Sequence, residues 1–344
     1  MGIDWEWIYQ RPQIIAEYLQ KDYDVTVIFP RHFWKKSLSK NLQTIKMLIL
    51  KTIPYMEKIK LVEKTASLIN KKVFRDLDQY DYIYIGYPLY ARYIPDTYTG
   101  KIIYDCMDNH EALYPDKKRV EKLIFQEKRL IHRCDLLFVS SEVLLHKMDN
   151  LAGKTKSILI RNGMLNQEIM DIKKACIKEV YDIGYIGTIS KWFDIDTIVQ
   201  SLEIKKNIRY QLIGPCEVKY QHERIKYYDV IEHNKLGVIV ESFDCLIMPF
   251  QINDIVSAVD PVKLYEYIAF GKCIISVYYP EIERFSEFVY FYEDTQQYVA
   301  LLDELMEKGF PPKYSKLQQE SFLRENSWEQ RYKMIMNEIM SMEN

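Results

Sequence analysis

Short apolar runs rich in β-branched and aromatic residues alternate with stretches of helical period along the chain. Residues 24–29 (Asp-Val-Thr-Val-Ile-Phe) read as a strand, as do 82–85, 102–104, 136–139 and 157–160. Helical patterns lie between them over 13–20, 57–74, 117–132 and 142–147. That alternation predicts an α/β fold, a parallel sheet with helices on both faces. The pattern then restarts. Strands are expected at 183–186, ending in Gly187, and at 210–213, 245–248 and 273–277, with helices from about 195 and over 261–270. A polar, helix-prone stretch at 166–178 reads as the linker, and 328–342 as a terminal amphipathic helix. Two Rossmann-like domains facing each other across a cleft follow, over 1–165 and 179–325, with a helix at 326–344 packing back.

The first half has one irregularity. Arg11-Pro12-Gln13 already starts a helix, so the first strand of such a domain would precede Asp4, where only three residues stand. Either the chain begins late or this domain lacks its usual first strand, whose loss would leave a gap in the sheet.

The length, 344 residues, suits two domains with a sizeable core in each. Glycine is scarce at 11 residues, and neither G-x-G-x-x-G nor G-x-x-x-x-G-K-[ST] occurs. The common dinucleotide fingerprint and the Walker loop are therefore absent. Six scattered cysteines form no C-x-x-C pair and no metal-ligand spacing. No apolar run approaches the ~18–20 residues a membrane span needs, and the N-terminus has neither a basic nor an apolar leader region. A reduced, cytoplasmic protein without cofactor or metal is expected.

Net charge is −2, but its distribution is uneven. Residues 31–75 carry twelve Lys or Arg against Glu57 and Glu63, a net of +10, so the rest of the chain carries −12. Phe33, Trp34, Leu38, Leu42, Ile45, Leu48 and Ile49 interleave at spacings of three and four, as on one helix face. Such a segment suits an anionic membrane surface, or is a basic solvated face. No nucleic-acid motif accompanies it.

The richest local signal is residues 260–272, D-P-V-K-L-Y-E-Y-I-A-F-G-K. Asp260 reads as N-cap, Pro261 as first helical residue and Gly271 as the stop. A helix N-terminus offers free N–H groups and partial positive charge to a phosphate. Lys263 in the first turn runs against the usual preference for acids there, which suggests an anionic ligand. Glu266, at i+3 on the same face, could accept both hydroxyls of a ribose. The alternative is a Lys–Glu pair at an exposed helix end. Asp105 and Asp108 follow a predicted strand directly. Carboxyl strand ends line the cleft of parallel sheets, so either could act as general base, with His110 behind them. Turn or cap hydrogen bonds would explain them equally. Arg11 could contact an acceptor phosphate or pair with an acid.

The 260–272 run resembles the donor-nucleotide motif of GT-B fold glycosyltransferases, those of teichuronic-acid, capsular and exopolysaccharide synthesis above all. Supporting stretches are the Trp…Arg-Pro-Gln run near the N-terminus, Y-D-C-M-D at 104–108, R-N-G at 161–163, 182–194, L-I-G-P at 212–215 and F-D-C-L-I-M-P-F at 243–250. The resemblance implies that Glu266 holds the donor ribose, and that Lys263 and the N–H groups of Val262 and Lys263 meet the diphosphate. It places Gly187, Thr188 and Ser190 near the phosphates, and Lys191 as a neutraliser of the leaving group. Pro249 and Phe250 would stack near the base, or simply pack. The family's first Glu, eight positions before the second, falls on Ala258, so a paired-Glu retaining mechanism is unsupported. The implied activity is sugar transfer from a UDP donor to a glycan or lipid-linked acceptor at the inner membrane face. It needs no metal and uses domain closure to exclude water. A non-catalytic binding subunit and a nucleotide-sugar epimerase are the alternatives.

Overall fold

The computed structural model describes residues 2–35, 45–53, 59–151, 156–165, 169–217 and 219–343. The chain divides into two compact units, Met1–Arg161 with Arg331–Asn344, and Asn162–Gln330. The break at 161/162 lies four residues before the expected boundary. The terminal helix is shared between the units instead of forming a separate piece.

In the first unit the order is α1 (Arg11–Leu19), β1 (Thr26–His32), β2 (Lys46–Thr52), α2 (Lys60–Asn70), β3 (Tyr82–Ile85), β4 (Lys101–Cys106), α3 (His110–Leu113), α4 (Lys117–Ile131), β5 (Leu136–Val139), α5 (Glu142–Asp149) and β6 (Ser157–Leu159). All strand pairs are parallel, but they form two sheets, β1-β2 and β3-β4-β5-β6. Among the described residues no ladder joins β1 to β3, where a central strand would stand. Tyr23 against Tyr82, ring centroids 5.7 Å apart, is a contact across that seam. Every residue of β5 is buried, as in a parallel strand covered on both faces.

Two expectations fail here. Residues 46–52 are strand β2, registered residue for residue on β1, although Leu48 and Ile49 share helical spacing with Ile45. The half-buried strand surface offered by β1 outweighs a spacing that three or four apolar residues satisfy by chance. The helix expected over 57–74 shortens to α2 and a 3-10 turn at Lys71–Phe74. Positions 36–44 and 54–58 of the basic segment, Leu38 and Leu42 among them, lie outside the described residues.

The second unit runs β7 (Tyr181–Ile186), α6 (Ile195–Ile204), β8 (Ile208–Ile213), β9 (Ile225–Tyr228), α7 (His233–Val240), β10 (Cys245–Met248), α8 (Val262–Ala269), β11 (Cys273–Val277), β12 (Tyr290–Tyr292), α9 (Thr295–Glu307), α10 (Lys316–Glu325) and α11 (Trp328–Glu343), which continues into the first unit. Its sheet is parallel, in the order β12-β11-β10-β7-β8-β9. Wholly buried β10 and β11 form its centre with β7.

The expected helix-prone linker is not helical over 169–178; its residues 166–168 lie outside the description. It runs extended along the second unit, where Met170, Lys173 and Cys176 donate N–H bonds to Ala269, Gly271 and Gly309 carbonyls at 2.8, 2.8 and 3.1 Å. Gly271 and Gly309 have φ of +65° and +70°, and a Cβ on either would strike linker backbone at 2.3 and 2.5 Å. Scarce glycine is thus placed where the chain must pass close.

Candidate active site

Chain direction reverses its sideways progress across the second sheet between β7 and β10. The strands laid down after β7 go to one side and those from β10 onward to the other. In such sheets the crevice outside the carboxyl ends at this switch point is the ligand site. The two strands pair only through Cys245↔Ile183 and Leu246↔Gly184, then part. Tyr267, from α8, fills the split. Its hydroxyl accepts from Ile186 N–H at 3.0 Å and donates to the Ile247 carbonyl at 3.3 Å. Burial pushes its phenol far above the usual range, so this proton stays in place.

Gly187 ends β7 with φ +144°, and a Cβ there would lie 2.2 Å from Lys263 Cε. Only glycine lets the Lys263 side chain cross the strand end. Its amine reaches 5.9 Å from the centre of the Phe250 ring. Burial pulls the Lys263 pKa down while neighbouring Glu266 pulls it up. Both side chains are half-buried, whereas Val262 is exposed. The loop after β7 is fixed from both sides. Gly187 N–H bonds to Ile213 O and Ile189 N–H to Pro215 O, both at 2.8 Å, and Gln251 N–H bonds to Trp192 O at 2.8 Å. Tyr185 hydroxyl holds the Thr188 carbonyl at 3.0 Å. Ser190 is bonded through its hydroxyl to Glu217, and Lys191 is exposed.

α8 starts one residue later than expected. Its N-cap is Pro261, not Asp260, and no side chain caps it. Asp260 is instead buried. It accepts from Asn162 N–H at 2.7 Å and Tyr265 hydroxyl at 3.1 Å, and pairs with Arg284. A carboxylate with three partners behind the helix is unavailable to its first turn. The N–H groups of Val262 and Lys263 are therefore unmatched among the described residues, and the helix dipole points at the place Lys263 crosses. Gly271 ends the helix, as expected, with φ +65°. Ala258 is buried in a 3-10 turn at Val256–Ala258 and brings no carboxylate. Pro249 accepts Asp194 N–H at 2.8 Å, and Phe250 is buried edge-on against Tyr185; both are occupied in packing the loop.

A feature missed from sequence lies beside this crevice. A cavity of about 340 Å³ is lined by Gly214, Pro215, Cys216, Lys219, Tyr228, Asp229 and Val230, at the carboxyl ends of β8 and β9. Its size falls in the range of small-molecule pockets. Gly214 links it to the crevice, since φ is +130° and a Cβ would lie 2.4 Å from Gly187 O. The L-I-G-P run carried that signal, but β9 has no clear pattern in the sequence.

In the first unit, Arg11 and Asp105 are both buried and held by each other. Arg11 Nη2 and Nε reach Asp105 at 2.7 and 2.9 Å, and Nη1 donates to Ile160 O at 2.7 Å. Of the two sequence readings of Arg11, the ion pair is the one present, and Asp105 is committed to it. Asp108 lies two residues beyond β4 and is half-buried. Burial pushes its carboxyl up to about 6; Arg11 opposes the shift and Asp105 adds to it. His110 is 3% exposed, and neither ring nitrogen has a partner. Burial, with a contribution from Lys147, takes it down to about 4, so its ring is neutral at pH 7. Tyr84, on β3, is buried beside Asp105; burial first, and then the Asp105 carboxylate, push its phenol well above the usual range. A buried imidazole with both nitrogens unmatched is uncommon and calls for an explanation such as a catalytic role or a bound water. Among the described residues no group of three or more His, Cys, Asp or Glu is placed to hold a metal ion.

No protein-family profile matches the chain. It is 24% identical over 283 residues, covering 74% of this chain and 70% of the relative, to TuaH of Bacillus subtilis (strain 168), provisionally described as a teichuronic acid biosynthesis glycosyltransferase. The fold is similar to sucrose-phosphate synthase of Thermosynechococcus elongatus, with TM-score 0.73 and 13% identity over 96% of this chain and 92% of that one. It is also similar to Anabaena HepE, solved with UDP and glucose, with TM-score 0.69 and 11% identity over 95% of each chain. The chain therefore has the fold of these glycosyltransferases and is similar in sequence to one described for teichuronic acid biosynthesis.

Proposed function

We propose that the protein transfers a sugar from a nucleoside diphosphate donor, UDP in the first instance, to a glycan or lipid-linked acceptor of cell-surface polysaccharide synthesis at the inner face of the membrane. The observation that carries the donor half is Lys263 crossing Gly187 where β7 and β10 part, beside the uncapped start of α8. In this reading the diphosphate sits against the N–H groups of Val262 and Lys263, with Thr188 and Ser190 at its edge. Glu266 takes the ribose hydroxyls. The base enters the cavity beyond Gly214, not the packed surface of Pro249 and Phe250. The relatives lend support, since HepE is solved with UDP and with UDP-glucose.

Bond by bond, the acceptor hydroxyl gives its proton to Asp108 and its oxygen bonds to the anomeric carbon, the bond from that carbon to the diphosphate oxygen breaks, and UDP leaves with the electron pair. Lys263, Lys191 and the α8 dipole stabilise the charge that develops on the diphosphate. His110, neutral and unmatched, orients an acceptor hydroxyl. Its two nitrogens can give one hydrogen bond and accept another.

Incubation with radiolabelled UDP-sugars and a bacterial membrane extract tests this reading. Label should enter the lipid or polymer fraction as UDP is released. UDP binding without turnover would make the chain a binding subunit, and interconversion of free UDP-sugars would make it an epimerase.

A further inference from the structure

The first unit carries a cluster of large apolar side chains that its packing leaves outside. Trp7, Ile8, Tyr9, Phe33 and Trp34 are 67, 51, 46, 58 and 56% exposed. Two chain segments contribute, and ion pairs bring them together. Asp4 is buried and accepts Arg31 Nη2 at 2.9 Å and Lys35 Nζ at 3.1 Å; Arg31 also reaches Glu6. Trp34 stacks on His32, centroids 4.6 Å apart, with Phe33 edge-on to it at 4.9 Å. The cluster is therefore held rigidly at the carboxyl end of β1.

Its position relative to the candidate acceptor groups is fixed by the same segment. The stretch from Asp4 to Arg11 begins at the end of β1, through Arg31, and finishes at the end of β4, through the Arg11–Asp105 pair. Trp7, Ile8 and Tyr9 lie between those two anchors. Carboxyl ends of both sheets thus share one edge, with the aromatic cluster on it and Asp108 close by in sequence to Asp105.

Cations flank the cluster. The Asn70 side chain pairs with both backbone groups of Lys51, at 2.9 and 3.0 Å, which sets the end of α2 beside β2. Lys51, Lys64, Lys71, Lys72 and Arg75 are exposed, and none has an ion-pair partner among the described residues. On the outer face of α2, Leu61 and Leu68 are 73 and 67% exposed, one heptad apart, with Lys64 between them. Exposed Trp and Phe with unpaired cations around them suit the interface of a bilayer carrying anionic lipid.

We infer that Trp7, Phe33 and Trp34 insert into an anionic membrane surface, and that this places the acceptor-side groups of the first unit at the level of lipid head groups. The purpose rests on the acceptor being lipid-linked, as proposed above; the surface itself does not. Sedimentation with sucrose-loaded vesicles tests it, comparing phosphatidylglycerol–phosphatidylcholine mixtures with pure phosphatidylcholine. The wild-type chain should partition on the order of ten-fold more strongly onto the anionic vesicles, less so at high salt. Brominated lipid should quench part of its tryptophan fluorescence. The triple variant W7S/F33S/W34S should lose most of the binding and the quenching. Circular dichroism and a thermal melt of that variant check that the first unit, which carries all three substitutions, is still folded. Unchanged vesicle binding by the triple variant overturns the inference, as does absence of wild-type binding at low salt. A change from dimer to monomer in the variant without vesicle binding by the wild type would assign the cluster to self-association. Transfer to a soluble acceptor with no vesicle binding would refute the surface and leave the activity standing.

Discussion

Two side chains carry perturbed chemistry that the proposed reaction can use. Asp108, raised to about 6 by burial, is the group whose ionisation should limit the rate. A general base must be deprotonated, so kcat/KM should rise with pH and level off above about 6, and a pH–rate profile measures this directly. Asp108→Asn should lower the rate by roughly 10²–10⁴-fold, the range for loss of a positioned base, and remove that acid limb. A variant retaining the limb would transfer the role elsewhere. Lys263 argues in the opposite direction for stability. Its charge is desolvated by burial, offset in part by Glu266, and a buried charge without a full partner costs free energy. Lys263→Met should leave the unliganded chain as stable as wild type or slightly more so in a urea melt.

At the scale of elements, the donor crevice depends on how α8 is seated, and α8 is seated by groups outside the ligand's reach. Tyr267→Phe removes the hydroxyl that bridges the split between Ile186 N–H and Ile247 C=O. Leaving that buried N–H unmatched should cost about 1–3 kcal/mol in chemical denaturation, with a fall in UDP affinity because Gly187 follows Ile186. Asp260→Ala strands Arg284 and should cost about 3–5 kcal/mol, as for other broken buried pairs. Had Asp260 capped α8, the loss would be near 1 kcal/mol. This element also shows where sequence reading reaches its limit. The helix, its stop at Gly271 and the Lys263/Glu266 face were legible because they rest on local spacing and chain-end chemistry. Asp260 looked like a cap because the residue type and position fit. Its actual partners, Asn162 and Arg284, are far away in sequence, and nothing local points to them. β2 was read as helix for a related reason, since its partner strand, not its own pattern, decides its state. The cavity past Gly214 was invisible because part of its wall, Tyr228 to Val230, ends and follows β9, a strand of only four residues.

On the scale of the whole chain, the two units differ in how regular they are. The second has one continuous six-stranded sheet with the proposed donor groups at its switch point. The first divides into sheets of two and four strands, with the buried Arg11–Asp105 pair near the seam. Among the described residues, no helix is long and apolar enough to cross a membrane. The uneven charge of the sequence, +10 over 31–75 within a total of −2, agrees with the first unit being the one that makes it. The central claim is that the crossing of Lys263 over Gly187 builds a nucleoside-diphosphate site. Isothermal titration of UDP into the wild type and into Lys263→Met tests it most directly. One site per chain is predicted, weakened in the variant by roughly 10–100-fold, the scale of a lost charged hydrogen bond. No UDP binding by the wild type, or equal affinity in both proteins, would contradict it.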